Sequence, residues 1–289
     1  GEVLEGPPAA LVHIDPKKPL FFQLACQVPQ GFMLKATKQQ LMDYFSTPQE
    51  AQEFAKELEF CMRQLAVTTN TIGAKFPMML EAVFQSYPWL YQAKPIKELP
   101  KATTSKALIL GAGPSAQALT EKPADTTVFA CWRMFEDYMR QSWQPDYVCN
   151  LDTYAPYESA YSHSIPVIGT CTTAPMFWEL AQGDRYAYFD CENIIDSILA
   201  QVWDKALDPA CIISVPSLMI HSAASMGFKT IEVAGVDLPG DRDDKDDQIL
   251  MMQHLALTYP DIKFVNLSPH IQFEGWENLS TQRSTSVTI

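Results

Sequence analysis

The sequence has few basic residues and no long hydrophobic segment. Of its 289 residues, 21 are Lys or Arg and 34 are Asp or Glu, so the formal net charge is −13 at pH 7. Nucleic-acid backbones are held chiefly by basic patches, so this balance argues against a nucleic-acid partner. Apolar runs such as Ala107 to Leu110 are far shorter than the roughly 20 residues of a membrane-spanning helix. With no signal sequence at the N-terminus, we expect a cytoplasmic protein without membrane association.

Paired cysteines and clustered histidines are also missing. The sequence has seven cysteines and five histidines, and no CxxC pair. The cysteines are Cys26, Cys61, Cys131, Cys149, Cys171, Cys191 and Cys211. Several lie in apolar, strand-like contexts, which predicts free, buried thiols in a reducing compartment. A zinc site needs clustered ligands, so we expect no metal site.

Two common nucleotide-binding motifs are absent. No GxxxxGK[ST] segment occurs, and Ala116 stands where the dinucleotide fingerprint GxGxxG has its third glycine. These absences argue against a P-loop ATPase and a nicotinamide-dependent dehydrogenase.

One glycine-rich turn is present, at Gly111 to Ser115. It follows the apolar run Ala107 to Leu110, which predicts a strand buried on both faces. Gly111 and Gly113 allow close approach of the backbone, and Pro114 suits the first turn of a helix. Helix N-termini favour anions, so we expect a phosphate-bearing ligand here. A tight turn with no ligand fits the same residues.

The chain divides into two regions in our interpretation. Residues 1–104 are predicted to form a mainly helical extension, with helices starting at Thr47 and near Met78 to Leu90 and a strand at Leu20 to Leu24. This region ends in a linker, Ala93 to Ser105, which contains two prolines. Residues 105–289 are predicted to form one nucleotide-binding domain.

Strands and helices alternate in the second region, which is typical of an α/β Rossmann-like, mostly parallel sheet with helices on both faces. The predicted strands are Ala107 to Leu110, Thr127 to Ala130, Tyr147 to Leu151, Val167 to Thr170, Tyr186 to Phe189, Ile231 to Val236 and Phe264 to Leu267. The predicted helices are Phe135 to Gln141, Met176 to Ala181, Ile194 to Val202, Ser217 to Met226 and Gln248 to Leu257.

Polar residues follow several of these strands. In open parallel sheets, ligands bind beyond the carboxyl ends of the strands, where the strand order reverses. This rule selects side chains that we expect at one edge together with the glycine-rich turn. They are Asn150, Asp152, Thr170, Thr172, Thr173 and Asp237.

The order of three segments resembles a known family. The GAGPS turn is followed by PDYVCNLD, which ends at Asp152, and by ASMGFKTIEVAGVDL, which ends at Leu238. This pattern resembles the motility accessory factor (Maf) proteins and the related MptE-like 6-hydroxymethylpterin diphosphokinases. The resemblance implies a Rossmann-like fold distantly similar to that of bacterial sialyltransferases, which use CMP-sialic acid.

The Maf resemblance implies transfer of a nonulosonic, sialic-acid-like sugar from a CMP-sugar to a Ser or Thr hydroxyl of flagellin or to a glycan. It matches Asp146, Asp152, Gly235, Asp237 and the turn to family positions. The nucleotide-binding candidates are Gly111, Ala112, Gly113, Pro114, Ser115, Asn150, Thr170 and Thr172. Ala112 and Trp132 stand where the sialyltransferases have asparagines. None of His163, His221, His254 and His270 maps onto the histidine base of those enzymes.

Sequence alone leaves the chemistry open. Asp152 or Asp237 could deprotonate an acceptor hydroxyl in a glycosyltransferase, with no tightly bound cofactor. In an MptE-like diphosphokinase they would instead hold Mg²⁺ on the phosphates of ATP. Both aspartates also fit a simple turn-capping role, and a non-catalytic nucleotide-binding or partner-binding module is a third interpretation.

Overall fold

The computed structural model describes Thr47, Gln49 and residues 74–117, 119–134, 143–153, 162–189, 194–208, 212, 214–238 and 245–278. The chain forms two compact units, Gly1–Thr69 and Asn70–Ile289. All elements below belong to the second unit. The predicted strand near Leu20 and the predicted helix Phe135 to Gln141 lie outside the described residues, as does nearly all of the helix that starts at Thr47.

Within the described residues, nine strands form a single sheet. They are β1 (Lys94–Pro95), β2 (Lys106–Leu110), β3 (Thr126–Cys131), β4 (Tyr147–Asn150), β5 (Val167–Thr170), β6 (Arg185–Tyr188), β7 (Thr230–Ala234), β8 (Lys263–Asn266) and β9 (Glu277–Asn278). The spatial order is β1-β6-β5-β4-β3-β2-β7-β8-β9, and every neighbouring pair is parallel.

The strand order reverses between β2 and β7. From β2 the chain adds β3, β4, β5 and β6 on one side, then returns to place β7 against the other side of β2. Leu108 is therefore paired with Val128 of β3 and with Glu232 of β7. The carboxyl ends of all the strands share one edge of the sheet, which we call the carboxyl edge; the opposite one is the amino edge.

Six helices accompany the sheet within the described residues. They are α1 (residues 74–90), α2 (Pro114–Gln117), α3 (Pro175–Leu180), α4 (Ile194–Val202), α5 (Val215–Met226) and α6 (Lys245–Thr258). The ends of α5 show why helices form where they do. Ser214 and Ser217 make a reciprocal capping box at its start, and Gly227 ends it with a φ of 94°.

Helices pack against both faces of the sheet. On one face, side chains of α1, α3 and α4 form a cluster with Ala187 of β6, in which Trp178 is fully buried. Tyr188, which follows Ala187 in β6, points to the opposite face of the sheet, where its ring contacts His221 of α5. The predicted α/β architecture with helices on both faces is therefore confirmed.

The predicted linker at residues 93–105 is partly wrong. Lys94 and Pro95 pair with Tyr186 and Ala187 as an edge strand, and Ile96 is fully buried. A two-residue strand carries no periodic signal, and its proline suggested a loop. The division of the chain into residues 1–104 and 105–289 stays a prediction.

Candidate functional site

The glycine-rich turn lies at the point where the strand order reverses. Gly111 to Ser115 follows β2, and Gly235 to Asp237 follows the adjacent β7. Ser268, just after β8, reaches the same place. We call these residues the switch-point cluster. In doubly wound sheets this is the position at which ligands bind.

The backbone of the turn is bonded to the end of β7. The N–H of Gly111 donates to the carbonyl of Ala234 at 2.8 Å, and that of Gly113 donates to the carbonyl of Gly235 at 2.7 Å. The N–H of Ser115 donates to Asp237 Oδ2, also at 2.7 Å. The two loops therefore form one rigid unit across the switch point.

This close approach explains the glycines. A Cβ atom at Gly111 would overlap the carbonyl oxygen of Gly235, and one at Gly113 would overlap Asp237 Oδ2. Gly235 also has a φ of 76°, which favours glycine. From the sequence, we predicted that Gly111 and Gly113 allow a close approach of the backbone to a phosphate-bearing ligand. The structure shows that the contact is with β7.

The anion-binding argument for this turn needs correction. The N–H groups of Gly111, Gly113 and Ser115 bond to acceptors within the protein, and Pro114 has no N–H. Asp237 itself supplies the anion, so these donors do not face a phosphate. The helix that follows, α2, is only 4 residues long. Nucleotide binding by residues 111–115 stays a prediction, but it cannot rest on these three amides.

The Ser115 hydroxyl connects the three loops of the cluster. Its oxygen accepts the N–H of Gly235 at 2.7 Å and lies 3.1 Å from the hydroxyl oxygen of Ser268. Ser115 thus holds the three loops together and is also a candidate ligand-binding residue.

The buried Asn266 holds Ser268 in place and is itself bonded to the partly exposed Asn278. Asn266 Oδ1 accepts the N–H of Ser268 at 3.0 Å, and Asn266 Nδ2 donates to Asn278 Oδ1 and to the carbonyl of Ile271. Asn278 in turn bonds to the backbone of Phe273. The sequence analysis missed Asn266, Ser268 and Asn278. The rule that selected Asn150 would have found the first two, because they follow β8 at the same edge.

A second group of polar residues lies after β4 and β5, and we call it the β4–β5 cluster. It comprises Asn150, Asp152, Thr170, Thr172 and Thr173. The Thr173 hydroxyl accepts the N–H of Thr170 at 2.9 Å and donates to the carbonyl of Asn150 at 3.1 Å. The Thr170 and Thr172 hydroxyls lie 3.2 Å apart, and both residues are buried.

Asp152 differs from its neighbours in this cluster. Asn150 Oδ1 accepts the N–H of Asp152, and the Asp152 carbonyl accepts from Asn150 Nδ2 and from the N–H of Ala174. Its backbone is therefore fixed. Its side chain is exposed, and its carboxylate has no hydrogen bond to any described residue. The turn presents this carboxylate at the carboxyl edge.

Other sequence candidates lie elsewhere. Asp146 is at the amino edge, where its carboxylate accepts from Lys122 Nζ and from the N–H of Val128. The thiols of Cys131, Cys149 and Cys171 are free and buried, as predicted. Burial raises the pKa of Cys131 to about 11 and the pKa values of Cys149 and Cys171 well above their usual range. These thiols are therefore poor nucleophiles near neutral pH.

His221 bonds to residues outside the switch-point cluster. His221 Nδ1 lies 2.5 Å from the Tyr259 hydroxyl, and its Nε2 lies 3.7 Å from Asp208 Oδ1. Burial lowers the pKa values of His163 and His254. Among the described residues, no group of three or more His, Cys, Asp or Glu could hold a metal ion, and no helix is long and apolar enough to cross a membrane.

Two solved structures resemble this chain to different extents. The Maf glycosyltransferase of Magnetospirillum magneticum AMB-1 superimposes with a TM-score of 0.56 at 17% identity, over 71% of this chain and 38% of that one. This chain therefore matches well under half of that protein. The CstII sialyltransferase of Campylobacter jejuni, in complex with CMP-3FNeuAc, gives a TM-score of 0.35 at 16% identity over 58% of this chain and 84% of that one. At 17% identity, the likeness to the Maf glycosyltransferase shows a common fold.

Comparison of sequences gives the family. No curated protein matches this chain in sequence. A profile of the family described as "6-hydroxymethylpterin diphosphokinase MptE-like" matches residues 81–242, which is more than half of the chain. The chain belongs to the MptE-like family.

Proposed function

We propose that the protein is a glycosyltransferase that moves a nonulosonic, sialic-acid-like sugar from a CMP-sugar to a hydroxyl group of a protein Ser or Thr, or of a glycan. The observation that carries the proposal is the switch-point cluster. The loops after β2 and β7 pack closely against each other there through their glycines. Carboxylates and hydroxyls lie beside them at the carboxyl edge. The fold shared with the Maf glycosyltransferase supports this choice among nucleotide-dependent reactions.

Each part of the carboxyl edge has a role in this proposal. In this proposal the nucleotide lies against the exposed part of the turn, which consists of Ala112, Pro114 and the partly exposed Gly113. Asp237 is fixed by the Ser115 N–H, so it acts as a hydrogen-bond acceptor for the ligand. Asp152 is the better candidate for the base that deprotonates the acceptor hydroxyl, because its carboxylate is exposed and not bonded to described residues.

The distance between the clusters is suited to two substrates. β2 and β4 are separated by β3, so they lie about 10 Å apart at a strand spacing of about 4.8 Å. A donor bound at the switch-point cluster would place its reactive carbon towards β4, where Asp152 meets the acceptor. Flagellin is one such acceptor protein in this proposal, which also locates the reaction in the cytoplasm.

A second candidate is an MptE-like diphosphokinase, and the family match favours it. In that reaction ATP would occupy the same edge. Asp152 and Asp237 follow strands that are three positions apart in the sheet, so one of the two, Asp152 or Asp237, would hold Mg²⁺ together with the phosphates.

Thermal unfolding with CMP, CDP, ATP and GTP, each with and without Mg²⁺, separates the two candidates. A ligand that binds only the folded state raises its stability by about 2.7 kcal/mol at 100 times its Kd. Stabilisation by CMP without metal is the expected result, followed by release of CMP from a CMP-sugar in the presence of acceptor. Stabilisation by ATP that requires Mg²⁺ supports the diphosphokinase, and no response to any nucleotide contradicts both.

A matched pair of tryptophan variants tests whether CMP binds at the glycine-rich turn. Ala112 and Ala124 are both exposed, at the carboxyl and amino edges respectively. Ala112→Trp should remove the response to CMP, because the indole covers the turn without breaking its hydrogen bonds. Ala124→Trp should keep the response, and equal behaviour of the two variants would place the ligand elsewhere.

A further inference from the structure

The Asp237 carboxylate has one satisfied and one unsatisfied oxygen. Oδ2 accepts the N–H of Ser115 at 2.7 Å, whereas Oδ1 is buried and has no hydrogen-bond donor among the described residues. Buried polar atoms are bonded in the great majority of cases, and one that is not calls for a partner. Because Oδ2 is anchored, the carboxylate cannot turn away without breaking its bond to the turn. Oδ1 is therefore an acceptor in a fixed position, with no donor from the part of the chain that the structure describes.

The two serines beside it leave one donor unused. Each hydroxyl has one proton and two lone pairs. The Ser115 oxygen accepts the Gly235 N–H, and one proton of the pair lies between Ser115 and Ser268. The second hydroxyl proton has no acceptor among the described residues. This proton belongs to Ser115 or to Ser268, depending on which of them donates to the other, and Ser268 is only 2% exposed.

One unused acceptor beside one unused donor selects a ligand group. A fully ionised phosphate only accepts hydrogen bonds and would be repelled by the Asp237 carboxylate, and an ammonium group only donates. A hydroxyl group does both at a single oxygen atom, whereas amide groups and the cytosine base donate and accept at separate atoms. We propose that the switch-point cluster binds a sugar hydroxyl, which donates to Asp237 Oδ1 and accepts from the Ser115–Ser268 pair.

This inference rests on the proposed function, since the hydroxyl belongs either to the ribose of the nucleotide or to a transferred sugar. It also extends the site beyond the part of the chain that the family profile matches. The profile ends at residue 242, whereas Ser268 and the asparagines that hold it, Asn266 and Asn278, lie after it. The C-terminal segment of this chain thus supplies half of the hydroxyl recognition.

Affinities for CMP, 2′-deoxy-CMP, 3′-deoxy-CMP and a CMP-sugar, measured by calorimetry on the whole protein, identify the source of the hydroxyl. If it belongs to ribose, one deoxy-CMP should bind about 10- to 100-fold more weakly than CMP, as expected for loss of a hydrogen bond to a charged group. If it belongs to the sugar, the three monophosphates should bind alike and the CMP-sugar more tightly.

Three variants test which protein atoms form hydrogen bonds with the hydroxyl of the ligand. In Asp237→Asn, the oxygen accepts from Ser115 and the amide nitrogen takes the place of Oδ1, so an acceptor becomes a donor. The preference for the hydroxyl-bearing ligand should disappear. Ser268→Ala should reduce the same preference by about 3- to 10-fold, the size of a neutral hydrogen bond, and Ser268→Thr should restore it. The serine variants keep the test valid if Asp237→Asn does not fold.

The outcomes separate this inference from the proposed function. If CMP binds and the ligand preference is the same in wild type, Asp237→Asn and Ser268→Ala, the hydroxyl inference is wrong while nucleotide binding stands. If none of the four ligands binds to the wild-type protein, both fail.

Discussion

The switch-point cluster and the β4–β5 cluster share one edge of the sheet, but they use their polar groups differently. In the β4–β5 cluster, hydroxyls and amides bond to one another and to the local backbone, as Thr173 does between Thr170 and Asn150. In the switch-point cluster, the same types of group leave a buried carboxylate oxygen and a hydroxyl proton without partners among the described residues. The first cluster shapes a turn, and the second is where we propose that a ligand binds.

This difference shows that residue type alone does not identify a ligand-binding group. Asn150, Thr170 and Thr172 have suitable chemistry and lie at the right edge, yet Asn150 holds the turn after β4 and the two threonines are buried against each other. Their assignment to nucleotide binding stays a prediction that the hydrogen bonds do not favour. Asp152 is the exception in its cluster, since its side chain is not used in the turn.

The largest expected effect breaks the contact between the two loops of the switch-point cluster. In Gly235→Ala, the new Cβ would lie 2.5 Å from the Gly111 carbonyl oxygen and 2.7 Å from the Ala116 Cβ, at a φ of 76°. Overpacking and the positive φ together should lower the free energy of unfolding by about 4 kcal/mol, as measured by urea denaturation.

Gly227→Ala is the matched control for this change. Gly227 also has a positive φ, 94°, but a Cβ there would meet nothing within 4 Å. Only the backbone preference is lost, so we expect a decrease of about 1 kcal/mol. Similar losses in the two variants would mean that the close approach at Gly235 does not matter.

An intermediate effect is expected in the β4–β5 cluster. Thr173→Val keeps the side-chain shape in a fully buried site but leaves the Thr170 N–H and the Asn150 carbonyl without that hydroxyl. We expect a decrease of about 2 kcal/mol in the free energy of unfolding. Thr258→Val, which removes an exposed bond to the His254 carbonyl, should change it by less than about 0.5 kcal/mol. CMP affinity should survive in Thr173→Val, which would separate the turn from the ligand site.

Much of the fold was predictable because its signals are local. The run Ala107 to Leu110 is fully buried in β2, and the apolar segments for β3 to β8 match the observed strands to within one or two residues. The edge strands β1 and β9 were missed because each has two residues and no periodic pattern. The glycines of the turn were recognised, since close backbone approach needs them whatever the partner.

The site was less predictable because hydrogen-bond partners come from distant parts of the chain. Asp237 was selected as a strand-end carboxylate, but its bond to Ser115, 122 residues away, depends on the packing of β7 against β2. Because the Ser115 N–H donates to Asp237, the turn holds a carboxylate of the protein in place and does not offer this N–H to an anionic ligand. The strand-end rule would have selected Ser268, but its contact with Ser115 across 153 residues could not be predicted, because it too depends on how the strands pack.

The smallest effect on stability is expected at Asp152, together with a large effect on activity. Its exposed carboxylate has no hydrogen bond to described residues, so Asp152→Asn should change the free energy of unfolding by less than about 0.5 kcal/mol. If Asp152 is the base, turnover of a CMP-sugar with acceptor should fall by about 10²- to 10⁴-fold while CMP affinity stays the same. Asp146→Asn should lower the free energy of unfolding and leave turnover unchanged, because the Asp146 carboxylate bonds to Lys122 and to the Val128 N–H at the amino edge. Full turnover in Asp152→Asn would assign the base to another residue and leave this carboxylate a surface group.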